Sequence, residues 1–337
     1  MSKKKNIICA LPKEIIATWV SKEEIDVCKL WYEIWCTKPK CIRLKKCRVF
    51  GTDMNCPLNS LSKYRNIIGL KLGSNTKINE PVLSLLNLRK LHVNMNEYIT
   101  DDVLKCLTNM TSLNIKQNKI ITDKSLIYLA KLVKLNLCSN HNITDDSLIH
   151  LTNIKSLSLN SNINITDKSL MHLTNITELD LDNNDCITDK SLMHLTNITN
   201  LSLNHNECIT DKSLKKLVSV KKIFLEGNQN ITVKSMKYLT NLTSLCLCNN
   251  NKINDNCLKR LTQLKKLQLY SHTVITNKSI RYLTNLIELH LYCNKDITHS
   301  ALSKLTNLVE LYLGDCEHIK GKKLRRHLPK LESIMRS

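Results

Sequence analysis

Side chains that could do chemistry are common in this sequence, but few are spaced to act together. Cys246 and Cys248 stand two apart, the spacing that puts both thiols on one face of a strand. Such a pair can respond to redox chemistry or fill space as small apolar groups, and the second reading is adopted. His205 with Cys208, and Asp182 with Asp185, fall in loop or outward positions where solvation is the expected role. His150, His172 and His194 recur every 22 residues and are expected on an exposed helix surface, not as a metal column. Cys28, Cys36, Cys41, Cys47 and Cys56 contain no Cys-x-x-Cys pair, and no histidine precedes His92, so buried thiols are expected and not zinc.

Motifs with a catalytic mechanism are missing as well. There is no Gly-x-Gly-x-x-Gly, no phosphate-cradling Gly-x-x-x-x-Gly-Lys, no His-Glu-x-x-His and no Gly-x-Ser-x-Gly. The expectation is therefore a non-enzyme with no catalytic residue, cofactor, metal or small-molecule substrate.

The composition narrows the class further. Six glycines and five prolines in 337 residues exclude collagen-like and Gly/Pro-rich disordered chains. A hydrophobic share of 42% can build a core, but with 4% aromatics the filling must be aliphatic. No apolar run reaches the roughly 18 residues of a membrane span. After the basic start, Pro12, Lys13 and Glu14 end the apolar stretch too early for a signal peptide, so an intracellular location is expected, with reduced thiols.

The elements that position these side chains come from a repeat. A strand leucine falls at Leu70, Leu91, Leu113, Leu135, Leu157, Leu179, Leu201, Ile223, Leu245, Leu267, Leu289 and Leu311, at a step of 22 residues after a first step of 21. In Leu135-Asn136-Leu137 both leucines point inward from a short strand and Asn136 points out. Asn140 follows as an inward polar residue, matched by Asn75, Asn96, Asn118, Asn162, Asn184, Asn206, Asn228, Asn250 and Asn294. A column of asparagines can satisfy the turn backbone that stacking buries. Ile143-Thr144-Asp145 then starts a short helix, with Thr as N-cap and Asp complementing the positive helix end. Leu148 and Leu151, three apart, face back inward.

This pattern resembles the leucine-rich repeat. The resemblance implies an α/β solenoid, an arc with a parallel concave β-sheet and short convex helices. About twelve repeats of 22 residues and a C-terminal cap are expected over residues 66–337, with Leu331 and Ile334 as the closing stub. Twelve strands would give a concave sheet on the order of 55 Å long. The Ile-Thr-Asp-x-x-Leu stretch is similar to the repeats of F-box proteins, where a cysteine takes the asparagine position; here only Cys316 does so.

Residues 1–65 lack the repeat and hold all three tryptophans and six of the fifteen cysteines. Leu11-Pro12-Lys13-Glu14-Ile15 and Val27-Cys28-Lys29-Leu30-Trp31 resemble the two ends of an F-box, at a shorter spacing. That resemblance implies docking of a Skp1-like adaptor of ubiquitin ligases through Leu11, Pro12, Ile15, Val27 and Trp31. The other reading is a small helical cap that buries Trp19, Trp31 and Trp35 on the first repeat.

A rigid concave surface is the usual interaction device of a solenoid, so the expected function is binding of a protein target. Outward strand positions are bland at Ser112, Asn114, Ser156, Ser158, Asn160, Asn200, Ser202 and Asn204. Phe224 is the first large apolar residue among them. Residues 22 apart stack, which places Tyr270 by Tyr292, His290 by Tyr312, and Glu288 by Glu310. These seven residues form the expected protein-binding site, and the two glutamates favour a partner with a basic segment. Two alternatives stand beside it: a scaffold without a ligase link, and a basic nucleic-acid-binding repeat protein suggested by the net charge of +21. Nucleic acid is not the expected partner, because the basic stretches Lys38 to Arg48 and Lys320 to Lys330 lack base-stacking neighbours on the sheet.

Overall fold

Each 22-residue unit cannot bury its own leucines, and stacking is what removes them from water. The computed structural model describes residues 40–44, 67–74, 87–271 and 274–336. Over these residues fourteen strands, from Lys40–Leu44 to Ser333–Arg336, lie side by side in strict chain order in one sheet. Every pairing is parallel, and Leu135, Leu157, Leu179, Leu201 and Ile223 sit in register across five consecutive strands. These residues and their partners Leu137, Leu159, Leu181, Leu203 and Leu225 are buried in a single continuous core.

One-turn helices cover the opposite side. In Asp145–Leu148 the N-cap Thr144 accepts from the amide of Asp146, and the same cap recurs at Thr122, Thr166, Thr188, Thr210, Thr232, Thr276 and Thr298. Leu148 and Leu151 are fully buried, as their spacing requires.

The asparagine column does the work expected of it. Asn140 is buried; its amide donates to the carbonyls of Ile115 and Asn118, and its oxygen accepts from the amides of Asn142 and Ile143. The turn before it needs a residue at positive φ, which Ser139, Ser161, Asn183 and His205 adopt near +50°. At Gly227 a side chain would collide with the ring of His205 from the preceding repeat, so His205 packs against a backbone. Where Cys316 replaces the asparagine, its thiol reaches the matching carbonyls of Asn294 and Leu291 at the longer distances of 3.5 and 3.9 Å.

The helix-start aspartates have a second role that local reasoning does not show. Asp145 accepts from the Thr166 amide at 3.0 Å, from the Thr166 hydroxyl at 2.6 Å and from the Ser169 hydroxyl at 2.5 Å, all in the next repeat. The same clamp recurs for Asp101, Asp123, Asp167, Asp189, Asp211 and Asp255. Burial raises the Asp145 carboxyl, but the bonds from Ser169 and Thr166 outweigh it and hold the group below the ordinary carboxylate range.

Both ends differ from the simple repeat. Leu311 pairs with Ile334, a step of 23 in place of 22, and Ile334 of the closing stub lies in the strand Ser333–Arg336. At the other end Lys40–Leu44 lies inside the 1–65 segment expected to be a helical cap, yet it is a strand parallel to Ile67–Leu72. It has no place in the leucine spacing. It extends the sheet across the expected boundary and gives the first repeat strand a hydrogen-bonding neighbour on its outer edge. Leu11, Pro12, Ile15, Val27 and Trp31 lie outside the described residues, as do Trp19, Trp35, Cys28, Cys36, Cys47 and Cys56.

Candidate protein-binding surface

The strands are three residues long through most of the array but five at Lys266–Tyr270, Glu288–Tyr292 and Glu310–Gly314. The extra length brings in Tyr270 and Tyr292, while His290 and Tyr312 hold the third strand position. Tyr270 pairs with Tyr292, His290 with Tyr312, and Glu288 with Glu310, as the repeat step requires.

The rings form one connected group. His290 stacks on Tyr312 with centroids 3.9 Å apart and planes 13° from parallel, while Tyr270 meets Tyr292 edge-on at 6.0 Å. His290 Nδ1 pairs with the Tyr270 hydroxyl at 2.8 Å, and Nε2 with Glu288 at 2.6 Å. Lys266 closes on the same Glu288 oxygen at 2.7 Å. Burial raises the Glu288 carboxyl, but Lys266 and His290 outweigh it and bring it below its usual range. The Tyr312 hydroxyl donates to Glu310 at 3.0 Å, which pushes the phenol up from its ordinary value.

Exposure divides the roles of these residues. His290 is only 8% exposed and offers little free surface, packed between its neighbours. Tyr270 and Tyr292, at 36% and 38%, present the free ring surface, with Tyr312 half-buried beside them. Phe224 is half-buried on the same face but two strands away from Tyr270.

Between Phe224 and Tyr270 lie Cys246 and Cys248, both buried, with sulfurs 3.2 Å apart. Glu226 Oε and the two sulfurs all fall within 4.8 Å of one another, the one group among the described residues spaced to share a metal ion. His150, His172 and His194 are exposed, as expected.

The middle of the concave face is not bland. Glu178, Asp180 and Asp182 stand between the serines and asparagines singled out from the sequence, and three of those polar residues bond to the two aspartates. Ser158 donates to Asp180 at 2.5 Å, Ser202 to Asp182 at 2.6 Å, and the Asn204 amide to Asp182 at 3.0 Å. Burial, with the charge of Asp182 nearby, raises the Asp180 carboxyl above its ordinary range. The signal was present in Glu178-Leu-Asp180-Leu-Asp182, where the alternation puts all three acids outward. Toward the first repeats the same face carries Lys71, Lys90, His92, Lys116 and Lys134, so its charge runs from basic to acidic to aromatic.

Sequence comparison matches the Leucine Rich repeat family at residues 106–130, 172–193 and 194–218. No curated protein matches. Among solved structures, an internalin of Listeria monocytogenes is 28% identical, with a TM-score of 0.54 over 78% of this chain and 86% of its own. Yeast Rad7, solved in complex with Elc1, is 18% identical with a TM-score of 0.58, over 82% of this chain and 86% of that one. A leucine-rich-repeat protein of Leptospira interrogans is 22% identical, TM-score 0.51, covering 81% and 85%. The last two likenesses concern the fold alone. Matched repeats, register and fold together give the described residues the leucine-rich-repeat fold.

Proposed function

We propose that the chain binds a protein target on the concave face of its C-terminal repeats, and that the target offers a basic segment. Leucine-rich repeats are typically non-enzymatic modules of protein–protein interaction. The observation that carries the proposal is the group Tyr270, Tyr292 and Tyr312, in which His290 bonds Tyr270 and stacks on Tyr312 while Tyr292 meets Tyr270 edge-on. Tyrosine rings with a fixed geometry offer large contact area at small entropic cost, and such residues dominate binding hot spots. A partner running along the sheet from Tyr292 would next meet Glu226 and then Asp182 and Asp180, which favours lysine and arginine in it. Selection from a displayed peptide library against the full chain tests this. Enrichment of basic sequences that lose binding to Tyr292→Ala supports it, and enrichment of acidic ones opposes it.

A second reading adds a docking role for the segment from Leu11 to Trp31, whose residues resemble the two ends of an F-box at a shorter spacing. The target-binding arc would then be one half of a ligase adaptor. Rad7, a fold relative, was solved with a second protein, Elc1, bound. Co-precipitation with a Skp1-like adaptor, lost in Leu11→Ala/Pro12→Ala with an unchanged melting temperature, is the expected result. A variant that melts earlier and never captures the adaptor favours a structural cap.

A further inference from the structure

The strand Ser244–Cys246 differs from all its described neighbours because every one of its residues is buried, outward positions included. Its outward groups are Ser244 and the thiol of Cys246, and Cys248 follows on the same face. Phe224 pairs alongside Cys246, and Tyr270 follows Cys248 by one repeat. Packing alone explains small buried thiols. It does not explain the third member. Among the described residues Glu226 forms no ion pair, yet its half-buried carboxylate stands within 4.8 Å of both sulfurs. A carboxylate beside two thiols that can give up their protons is a ready set of anionic donors with no cation beside it.

We propose that Glu226, Cys246 and Cys248 form a binding site for a thiophilic divalent d10 cation, of which zinc is the type. On binding, each thiol releases its proton to solvent and the two thiolates and the carboxylate bond the ion. Three protein donors leave a fourth tetrahedral position facing the concave side, open to water or to a donor atom of a bound partner. Mixed sulfur and oxygen donors suit zinc, whereas calcium and magnesium take oxygen alone.

The geometry asks for little movement. Two sulfurs on one zinc stand about 3.8 Å apart, from Zn–S bonds of about 2.3 Å at a tetrahedral angle. The observed 3.2 Å therefore opens by rotation of one side chain.

The test uses the full chain, reduced and stripped with chelator, titrated with zinc against a chromophoric competitor at neutral pH. Cadmium then reports thiolate ligation through its ultraviolet charge-transfer absorption. Cysteines elsewhere in the chain are controlled by comparing variants. Cys246→Ser/Cys248→Ser is expected to lose one equivalent of zinc and the absorption of two thiolates. Glu226→Gln, which leaves both sulfurs and the fold intact, is expected to weaken binding at least about tenfold. Cys257→Ser, on the convex side and matching the serine of other repeats, leaves uptake unchanged. Unchanged zinc uptake in the double cysteine variant overturns the site, and so does wild-type affinity in Glu226→Gln.

Discussion

Thr166 gives Asp145, one repeat earlier, both its backbone amide at 3.0 Å and its hydroxyl at 2.6 Å. The pair joins the start of one helix to the start of the next, and Ser169 completes it. Each clamp removes a buried carboxylate from water only because three donors replace the water. Asp145→Ala should therefore cost about 1–3 kcal/mol by leaving those donors without an acceptor. Asp145→Asn should cost less. Asn277 already shows how an amide substitutes, accepting from the Thr298 amide and donating to its hydroxyl, both at 2.9 Å. Urea denaturation of the three proteins decides this, and equal midpoints would remove the clamp from the account.

The same clamp predicts a sensitivity to acid. The Asp145 carboxyl is held below its ordinary value, so the folded state binds its proton less readily than the unfolded chain. Its contribution is fully present above the unfolded pKa of about 3.9 and is lost as pH falls through the lower folded value. Stability of the natural chain should thus drop more steeply below about pH 4 than that of Asp145→Asn. Parallel pH profiles of the two would contradict it.

One clamp is replaced as a unit. Val233 stands in the aspartate position, Asn254 in the threonine position and Cys257 in the serine position of the following repeat. Asn254 instead caps its own helix by accepting from the amides of Asn256 and Cys257. Val233→Asp alone would set a carboxylate against a thiol and is expected to destabilise by about 1–3 kcal/mol. Val233→Asp/Asn254→Thr/Cys257→Ser should recover most of that loss. Thermal melts of both variants test it; a triple variant no more stable than the single one would mean that the three residues are unrelated.

How much could be read from the sequence depended on how far apart the cooperating residues lie. Leucines two apart and the asparagine column are local patterns with a fixed period, and both came through intact. The partners of Asp145 lie 21 and 24 residues on, so its local surroundings suggested only a helix-dipole role. The signal was the joint change at Val233, Asn254 and Cys257. The aromatic columns followed directly from the step of 22, but the burial of His290 did not, because it results from stacking on Tyr312. The strand Lys40–Leu44 stands off the 22-residue step, with Ile42 paired to Leu70 and Leu44 to Leu72 across 28 residues.

The core register gives a blunt prediction. Leu159 is fully buried, and an aspartate there would be an unpaired charge among leucines. Leu159→Asp should cost several kcal/mol, lose the far-ultraviolet dichroism of the natural chain and unfold without a single cooperative transition. An unchanged spectrum and midpoint would refute the inward assignment.

The central claim is that the C-terminal aromatic group is where a protein partner binds. Isothermal titration of a selected basic peptide into the natural chain and its variants tests it most directly. Tyr292→Ala and Tyr312→Ala should each weaken binding by about 1–3 kcal/mol. Ser156→Ala, on the same face but distant from the rings, should leave it unchanged. If the tyrosine variants bind as the natural chain does, and affinity falls instead on replacing Lys71, Lys90 or His92, the binding surface is at the basic end and the claim is wrong.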